Sequence, residues 1–310
     1  MISDYLVVRV ATGHWTGIVG TSLAGIIGAV KKSLLTLDNR GNDMDELAGI
    51  ILAAGEGSRM KSRTPKVLHC LCGKELLRFP VELLGKLGMT RIVVVVSPAN
   101  REAITGLLGD TVEYAVQEAR SGTVGAVESA ASMLQGQFER VVVIGGDAPL
   151  VAEDSVRRLI DGHIQDSRQM SILSGIVQVN QGLGRISRDL GSQQNVLGIV
   201  EANDDTGRTG EPIEINSGVY CFQADWLWEN LGKVGAGKSQ ERYLTDLAAI
   251  AAGKGDAVAA VVADDPDEVM GINTRVELAR LEDIQRRRIR ERWMLEGVTI
   301  MDPSSVMIDD

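Results

Sequence analysis

Residues 44–275 read as an α/β fold: a Rossmann-like, mostly parallel sheet with helices on both faces, followed by a long C-terminal helix. Three observations predict it. Short runs dense in Val, Ile and Leu recur along the chain, as fully buried parallel strands require. Amphipathic stretches of helical period separate those runs. Glycines follow several runs directly, at the carboxyl ends where such sheets bind ligands.

The first 43 residues differ from the rest. Gly17 to Val30 is apolar and glycine-rich, Lys31-Lys32 follows, and then comes polar Asp38 to Asp43. The run is too short to span a bilayer, and its charges fall after it rather than before, unlike a secretory signal. Residues 1–43 are therefore expected to be a poorly ordered N-terminal extension, with Met44 a natural first residue and an interfacial anchor the lesser alternative. Ala48 to Ala53 is the first buried strand, because six apolar residues end on a glycine turn. Leu76 to Leu87 has helical period, and Arg91 to Val96 is a valine run of strand length. A helix over Asn100 to Leu108, a strand over Val112 to Val116 and a helix over Thr123 to Leu134 continue the alternation. Val141 to Ile144 ends on glycines and is the next strand. Glu153 to Gln165 is a helix with acids in its first turn. Ile172 to Val177, Gly218 to Phe222 and Val258 to Val262 complete the strands, with a helix over Asp225 to Leu231 among them. Residues 276–296 form a long charged helical arm, on which Val276, Leu278, Leu281, Ile284, Ile289 and Trp293 partly mark an apolar face.

The chain has 310 residues, 44% of them hydrophobic, and a formal net charge of −10, enough for one large core or two smaller ones. That charge opposes nonspecific binding to nucleic acid or to an anionic membrane, so any phosphate site must be local. Cys70, Cys72 and Cys221 are an odd set without a second ligand pair, a poor zinc or disulfide framework. They read as reduced thiols of a cytoplasmic protein.

The turn Leu52-Ala53-Ala54-Gly55-Glu56-Gly57-Ser58-Arg59-Met60 outlines an anion cradle. Gly55 and Gly57 can take positive φ and turn backbone N–H groups toward phosphate oxygens, while Arg59 and Lys66 bring charge. Met60 stands where a dinucleotide fingerprint needs a third glycine, and no Gly-Lys-Ser follows, so neither named glycine motif applies. An ordinary strand-turn-helix corner is the plain alternative. Val141 to Gly146 delivers Asp147 at a strand tip, where a single carboxylate suffices for Mg²⁺, an ion that keeps water and substrate oxygens around it. Its plain alternative is a turn cap. Asn273, in Gly271-Ile272-Asn273-Thr274-Arg275, offers a second oxygen, unless Asn273 or Thr274 serves as the N-cap of the long helix.

Two other segments look functional at first sight. Gly232-Lys233-Val234-Gly235-Ala236-Gly237-Lys238-Ser239 matches the P-loop pattern, but it follows a helical stretch instead of a buried strand. Gln285 to Trp293 carries five arginines, yet its period and interspersed acids make it a solvated helix face rather than a nucleic-acid site.

From Leu47 to Asp310 the chain resembles the N-acetylglucosamine-1-phosphate uridyltransferases, the N-terminal half of the bifunctional enzyme that makes UDP-N-acetylglucosamine for peptidoglycan and cell-wall synthesis. The resemblance rests on an ordered series: Leu52 to Gly55, Pro65-Lys66-Val67-Leu68-His69, Gln117 with Gly122-Thr123, Gly146-Asp147-Ala148-Pro149-Leu150, Gly184-Arg185-Ile186, Gly198-Ile199-Val200-Glu201, Glu214 to Gly218, Tyr243-Leu244-Thr245-Asp246 and Gly271 to Arg275. It implies a nucleotide-diphospho-sugar transferase fold that moves UMP from UTP to N-acetylglucosamine 1-phosphate, in the cytoplasm, with Mg²⁺. It implies that Leu52, Ala53, Ala54, Gly55 and Lys66 hold phosphates and that Gln117, Gly122 and Thr123 read uracil. Gly145, Gly146 and Asp147 would line the centre, and Gly184, Glu201, Asn216, Tyr243 and Thr245 would grip the sugar. Asp147 and Asn273 would bind Mg²⁺, with Arg59, Lys66 and Asp147 catalytic. Read without the resemblance, Glu201 could be one more solvated acid and Asn216 a turn residue.

Four positions depart from the family pattern. Gly145 and Leu183 stand where Tyr is common, Gly125 where His is frequent and Arg242 where Tyr is frequent, which leaves a related enzyme with another hexose or base as the alternative. Residues 297–310 resemble the linker and first coil of a left-handed β-helix. A solenoid needs several repeats, so neither an acetyltransferase half nor a β-helix-driven trimer is expected.

Overall fold

Apolar runs pair edge to edge because, once buried, their backbone groups have no other hydrogen-bond partners. A computed structural model describes residues 47–178, 182–189, 196–201, 212–236, 241–255 and 258–310. The expected extension over residues 1–43 lies outside them. Strands β1 (Leu47–Leu52), β4 (Arg91–Val96), β5 (Glu113–Val116) and β6 (Arg140–Gly145) are mutually parallel. The sheet continues through β7 (Met170–Val177), β10 (Ile213–Gln223) and β11 (Val258–Val262) in the order β11-β7-β10-β6-β1-β4-β5. Only β10 runs antiparallel along this path, to both β6 and β7. Strands β8 (Arg185–Arg188) and β9 (Val196–Val200) extend from β10 as an antiparallel annex. A short hairpin, β2 (Cys70–Leu71) with β3 (Lys74–Glu75), stands apart.

Alternate side chains of the strands bury toward opposite faces, as a period of two dictates. Leu47, Ile51, Val94 and Val142 meet helices α1 (Arg78–Lys86), α2 (Arg101–Leu108) and α5 (Glu153–Gln165). Ile50, Val93, Val143 and Phe222 meet α3 (Gly122–Ser129), α4 (Ala131–Leu134), α6 (Ala224–Leu231) and α7 (Asp246–Lys254). The helix expected over Thr123 to Leu134 is thus two, broken at Ala130. The strand expected at Gly218 to Phe222 begins five residues earlier, with an irregular register between Asn216 and Tyr220.

The long helix α8 (Arg275–Leu295) buries Leu281, Ile284 and Ile289. Val276 and Trp293, assigned to that face by period, are exposed. Three of its arginines are spent on the fold: Arg286 pairs with Glu282 at 2.6 Å, Arg288 with Asp265 at 2.6 Å, and Arg290 donates to the Val306 carbonyl at 3.1 Å. Residues 297–310, expected to open a β-helix, carry no strand. They hold a 3-10 turn over Pro303–Ser305, and the Asp310 amide returns to the Cys72 carbonyl at 2.9 Å. No helix among the described residues is long and apolar enough to cross a membrane.

Candidate functional site

The strand order reverses at β1, which has β4 on one side and β6 on the other, and a crevice opens at such a point beyond the strand ends. Parallel register aligns the tips: Leu52 is level with Val95 and with Gly145, and Val96 with Val116. The segments after β1, β5 and β6, carrying Ala53 to Met60, Gln117 and Gly146-Asp147, therefore leave the sheet side by side.

The cradle after β1 is tied down from three directions. The Ala53 amide donates to the Val95 carbonyl at 2.9 Å, the Gly146 amide to the Leu52 carbonyl at 2.9 Å, and the side-chain amide of buried Asn100 to the Ala53 carbonyl at 2.8 Å. Asn100 also accepts from the Ser97 amide at 2.8 Å. Of the two turn glycines only Gly57 takes a positive φ, 61°; a Cβ there would lie 2.4 Å from the Lys66 Cβ. Gly55 is in ordinary backbone space and open. Arg59 is exposed on the 3-10 turn Ser58–Met60 and forms no ion pair with the described residues.

Lys66 opens the 3-10 turn Lys66–Leu68, and its ammonium joins the two expected metal ligands. It pairs with Asp147 Oδ2 and donates to Asn273 Oδ1 at 3.0 Å. Asn273 is free for this because Thr274, not Asn273, caps α8. The Thr274 hydroxyl accepts from the Glu277 amide at 3.2 Å, and the Glu277 carboxylate takes the Asn273 and Thr274 amides at 2.7 Å each. The Ile272 amide donates to the Asp147 carbonyl at 3.1 Å, holding the two ligand segments together. Two hard oxygens, one anionic, thus converge on a single cation, the donor set that suits Mg²⁺. Among the described residues no three His, Cys, Asp or Glu side chains gather in a metal-holding group. The remaining ligands of such an ion would be water and substrate oxygens.

A second group lies where β8, β9 and β10 meet the start of α7. Thr245 donates to Glu201 at 2.6 Å, and the Asn216 amide donates to the Gly184 carbonyl at 2.8 Å. The Asn216 side chain accepts from the Gly218 amide at 3.0 Å and donates to the Tyr220 hydroxyl at 2.7 Å. Asn216 is a turn residue, and its side chain keeps one N–H and one lone pair to spare. Burial, together with the Glu201 charge, pushes the Tyr220 hydroxyl's pKa far up, so it stays protonated. Tyr243 donates to Glu241 at 2.7 Å.

Between the two groups, the loop after β5 is sewn to the segment before α7. The Val124 amide donates to the Arg242 carbonyl at 3.1 Å, the Arg242 amide to the Ser121 carbonyl at 3.1 Å, and the Leu244 amide to the Thr123 hydroxyl at 2.9 Å. Gly122, at φ 79°, touches this seam: a Cβ would lie 2.3 Å from the Arg242 carbonyl oxygen. Gln117 Nε2 donates inward to the Gly122 carbonyl at 3.0 Å.

Comparison with known proteins decides the family. The profile of the nucleotidyl transferase family matches residues 48–284. The chain belongs to the nucleotidyl transferase family. It is 40% identical over 267 residues to the bifunctional protein GlmU of Caldanaerobacter subterraneus, covering 86% of this chain and 57% of that protein. The bifunctional protein GlmU of Syntrophotalea carbinolica is also 40% identical, over 266 residues, covering 86% and 57%. The chain spans a little over half the length of these curated relatives. A solved structure from Bacillus anthracis, described as a glucose-1-phosphate thymidylyltransferase in complex with a sucrose, superposes with a TM-score of 0.64. It is 17% identical and covers 83% of this chain and 98% of its own, a likeness of fold.

As a nucleotidyl transferase fold, the chain brings together Lys66, Asp147 and Asn273, and separately Glu201, Asn216 and Thr245. Arg59 joins neither group. Asn100 escaped the sequence reading; a polar residue two after Pro98, at a helix start, is a common cap, and nothing local says that its amide reaches the Ala53 carbonyl. His69 supports the Lys66 turn, its amide donating to the Lys66 carbonyl at 3.2 Å; burial, then the Arg275 charge, lower the imidazole pKa. The P-loop look-alike begins at Gly232, the C-cap of α6, and its residues 237–239 lie outside the described ones. No β-strand leads into it.

Proposed function

We propose that this nucleotidyl transferase transfers UMP from UTP to N-acetylglucosamine 1-phosphate, releasing pyrophosphate. The observation that carries the reading is the convergence of Lys66, Asp147 and Asn273 near the strand tips, beside the glycine turn that follows β1. The GlmU relatives and the motif series favour this sugar and base. The proposed activity belongs to the part of those relatives that the chain matches.

A sugar-phosphate oxygen attacks the α-phosphorus of UTP, a new P–O bond forms, and the bond to the β-phosphate oxygen breaks with its electron pair leaving on pyrophosphate. No protein nucleophile is required. The backbone amides of Ala54 and Gly55 and the Lys66 ammonium neutralise phosphate charge, the Ala53 amide being already bonded to the Val95 carbonyl, and Arg59 adds its own positive charge. Mg²⁺, when held by Asp147 and Asn273, supplies further charge neutralisation to the phosphates. Gln117 has its Nε2 committed to Gly122, so Oε1 is left to accept the N3–H of uracil, which cytosine lacks. Gly122 and Thr123 complete the base edge, while Gly184, Glu201, Asn216, Tyr243 and Thr245 hold the amino sugar. Three free cysteines, with burial pushing Cys221 up to about 12 and Cys72 up to about 11, suit the reducing cytoplasm.

Pyrophosphate release, measured with UTP, dTTP, CTP, ATP and GTP crossed with the 1-phosphates of N-acetylglucosamine, glucosamine and glucose, tests the proposal. UTP with N-acetylglucosamine 1-phosphate is expected to lead. Lys66→Ala and Asp147→Asn are each expected to lower turnover by at least about 100-fold. Wild-type rates in either variant would sink the mechanism. Preference for dTTP with glucose 1-phosphate would favour the thymidylyl alternative that Gly145, Leu183, Gly125 and Arg242 keep open.

A further inference from the structure

Lys66 does more than face the phosphates. Its ammonium touches both oxygens expected to hold the metal, Asp147 Oδ2 and Asn273 Oδ1, the latter at 3.0 Å. Neither oxygen is loosely placed. Asn273 is fixed through the bond of its amide to Glu277 at 2.7 Å, and Asp147 through the Ile272 amide at 3.1 Å. The Asp147 carboxylate also folds back over Gly145, with Oδ1 2.5 Å from where a Cβ would stand, so a side chain there would make the carboxylate turn. The stem of Lys66 is pinned near Gly57, so the side chain can move only beyond its Cβ.

We propose that Lys66 is a placeholder cation: in the nucleotide-free protein its ammonium occupies the Asp147–Asn273 oxygen pair and excludes a divalent metal until nucleotide phosphates draw it away. This rests on the reading of Asp147 and Asn273 as the metal ligands and adds an order of events to it. An ammonium and a divalent ion cannot share the same two oxygens, since like charges at that separation repel strongly. Lys66 has one better anion to move to, the triphosphate, which also brings the metal's remaining oxygens. The free protein therefore binds the metal poorly, and the nucleotide opens its site.

The test is Mn²⁺ binding to the nucleotide-free protein, followed by electron paramagnetic resonance and calorimetry. Lys66→Met is expected to tighten Mn²⁺ binding by about 10-fold or more, and Lys66→Gln, a second neutral variant, to do likewise. Lys61→Met, which removes an exposed cation from the same loop, is expected to change it less than about two-fold. Adding Asp147→Asn to Lys66→Met should abolish the gain. Equal affinity in wild type and both Lys66 variants overturns the proposal, as does an equal gain in Lys61→Met, which would mean diffuse charge rather than occupancy. Circular dichroism confirms that each variant is folded. Uridylyl transfer by the wild type is scored separately: an active chain with no Mn²⁺ gain refutes the placeholder alone, and a gain in a chain that lacks the transfer activity refutes the proposed reaction alone.

Discussion

His163 makes the stability of this protein fall in acid by an amount that can be worked out. It is 1% exposed, between α5 and β7, with Nδ1 3.0 Å from the Ser171 hydroxyl and Nε2 buried without a partner among the described residues. Burial, then the charges of Arg140 and Arg168, lower its pKa from 6.5 to about 4. The folded protein thus keeps the ring neutral at pH values where the unfolded chain already binds a proton. Stability from this group is complete above about pH 6.5 and drains away as the pH falls toward 4. Linkage with those two values gives a loss of about 2 kcal/mol by pH 5 and about 3 kcal/mol by pH 4. Urea unfolding at about pH 7.5, 5.5 and 4.5, in wild type and His163→Leu, isolates the term from the carboxylates, which titrate in both. The wild type is expected to lose about 2.5 kcal/mol more than the variant across that span. Equal slopes would refute the argument, because they would mean that His163 takes up no proton on unfolding.

Three further perturbations follow from the site. Asn100→Ala leaves the Ala53 carbonyl and the Ser97 amide without their partners, so it is expected to cost about 2 kcal/mol in urea unfolding and to raise the KM for UTP as the cradle loosens. Gly122→Val places a side chain against the Arg242 backbone at a positive φ; kcat/KM should fall at least about 10-fold in steady-state assays, with about 2–3 kcal/mol of stability lost. Thr274→Ala removes the α8 cap at a cost of about 1 kcal/mol, and its Mn²⁺ affinity in the presence of nucleotide should weaken as Asn273 loses its bearing.

The strands most legible in the sequence are those buried on both faces. Ala48 to Ala53, Ile92 to Val96 within the strand expected at Arg91 to Val96, and Val141 to Ile144 are unbroken apolar runs, and only a central strand can use one. Strands β8 and β9 are four and five residues long and half-exposed, so they lack that signal. Helix α7 was missed because Asp246-Leu-Ala-Ala-Ile-Ala-Ala-Gly-Lys buries small residues and offers little contrast between faces. Asn216-Ser217-Gly218 read as a turn ahead of a strand, whereas the chain bends there inside one. At the site, Asp147 was indicated by its place at a strand end, and Lys66 by its charge close behind the glycine turn. Asn273 and Thr274 were both open as caps of α8; the Thr274 hydroxyl settles it by accepting from the Glu277 amide, which frees the Asn273 side chain. Which residues meet across 81 positions, as Lys66 and Asp147 do, follows only from strand order.

The seam between residues 121–124 and 242–244 gives the crevice a single wall where two substrates would otherwise have two. Under the proposed reaction, variation that widens the side given to the base must move the backbone that carries Tyr243 and Thr245, and so shifts the side proposed for the sugar with it. Preference for base and preference for sugar are then one inherited trait rather than two. An altered nucleotide choice selected in this chain should arrive with an altered taste for hexose, even where no sugar-facing side chain has changed.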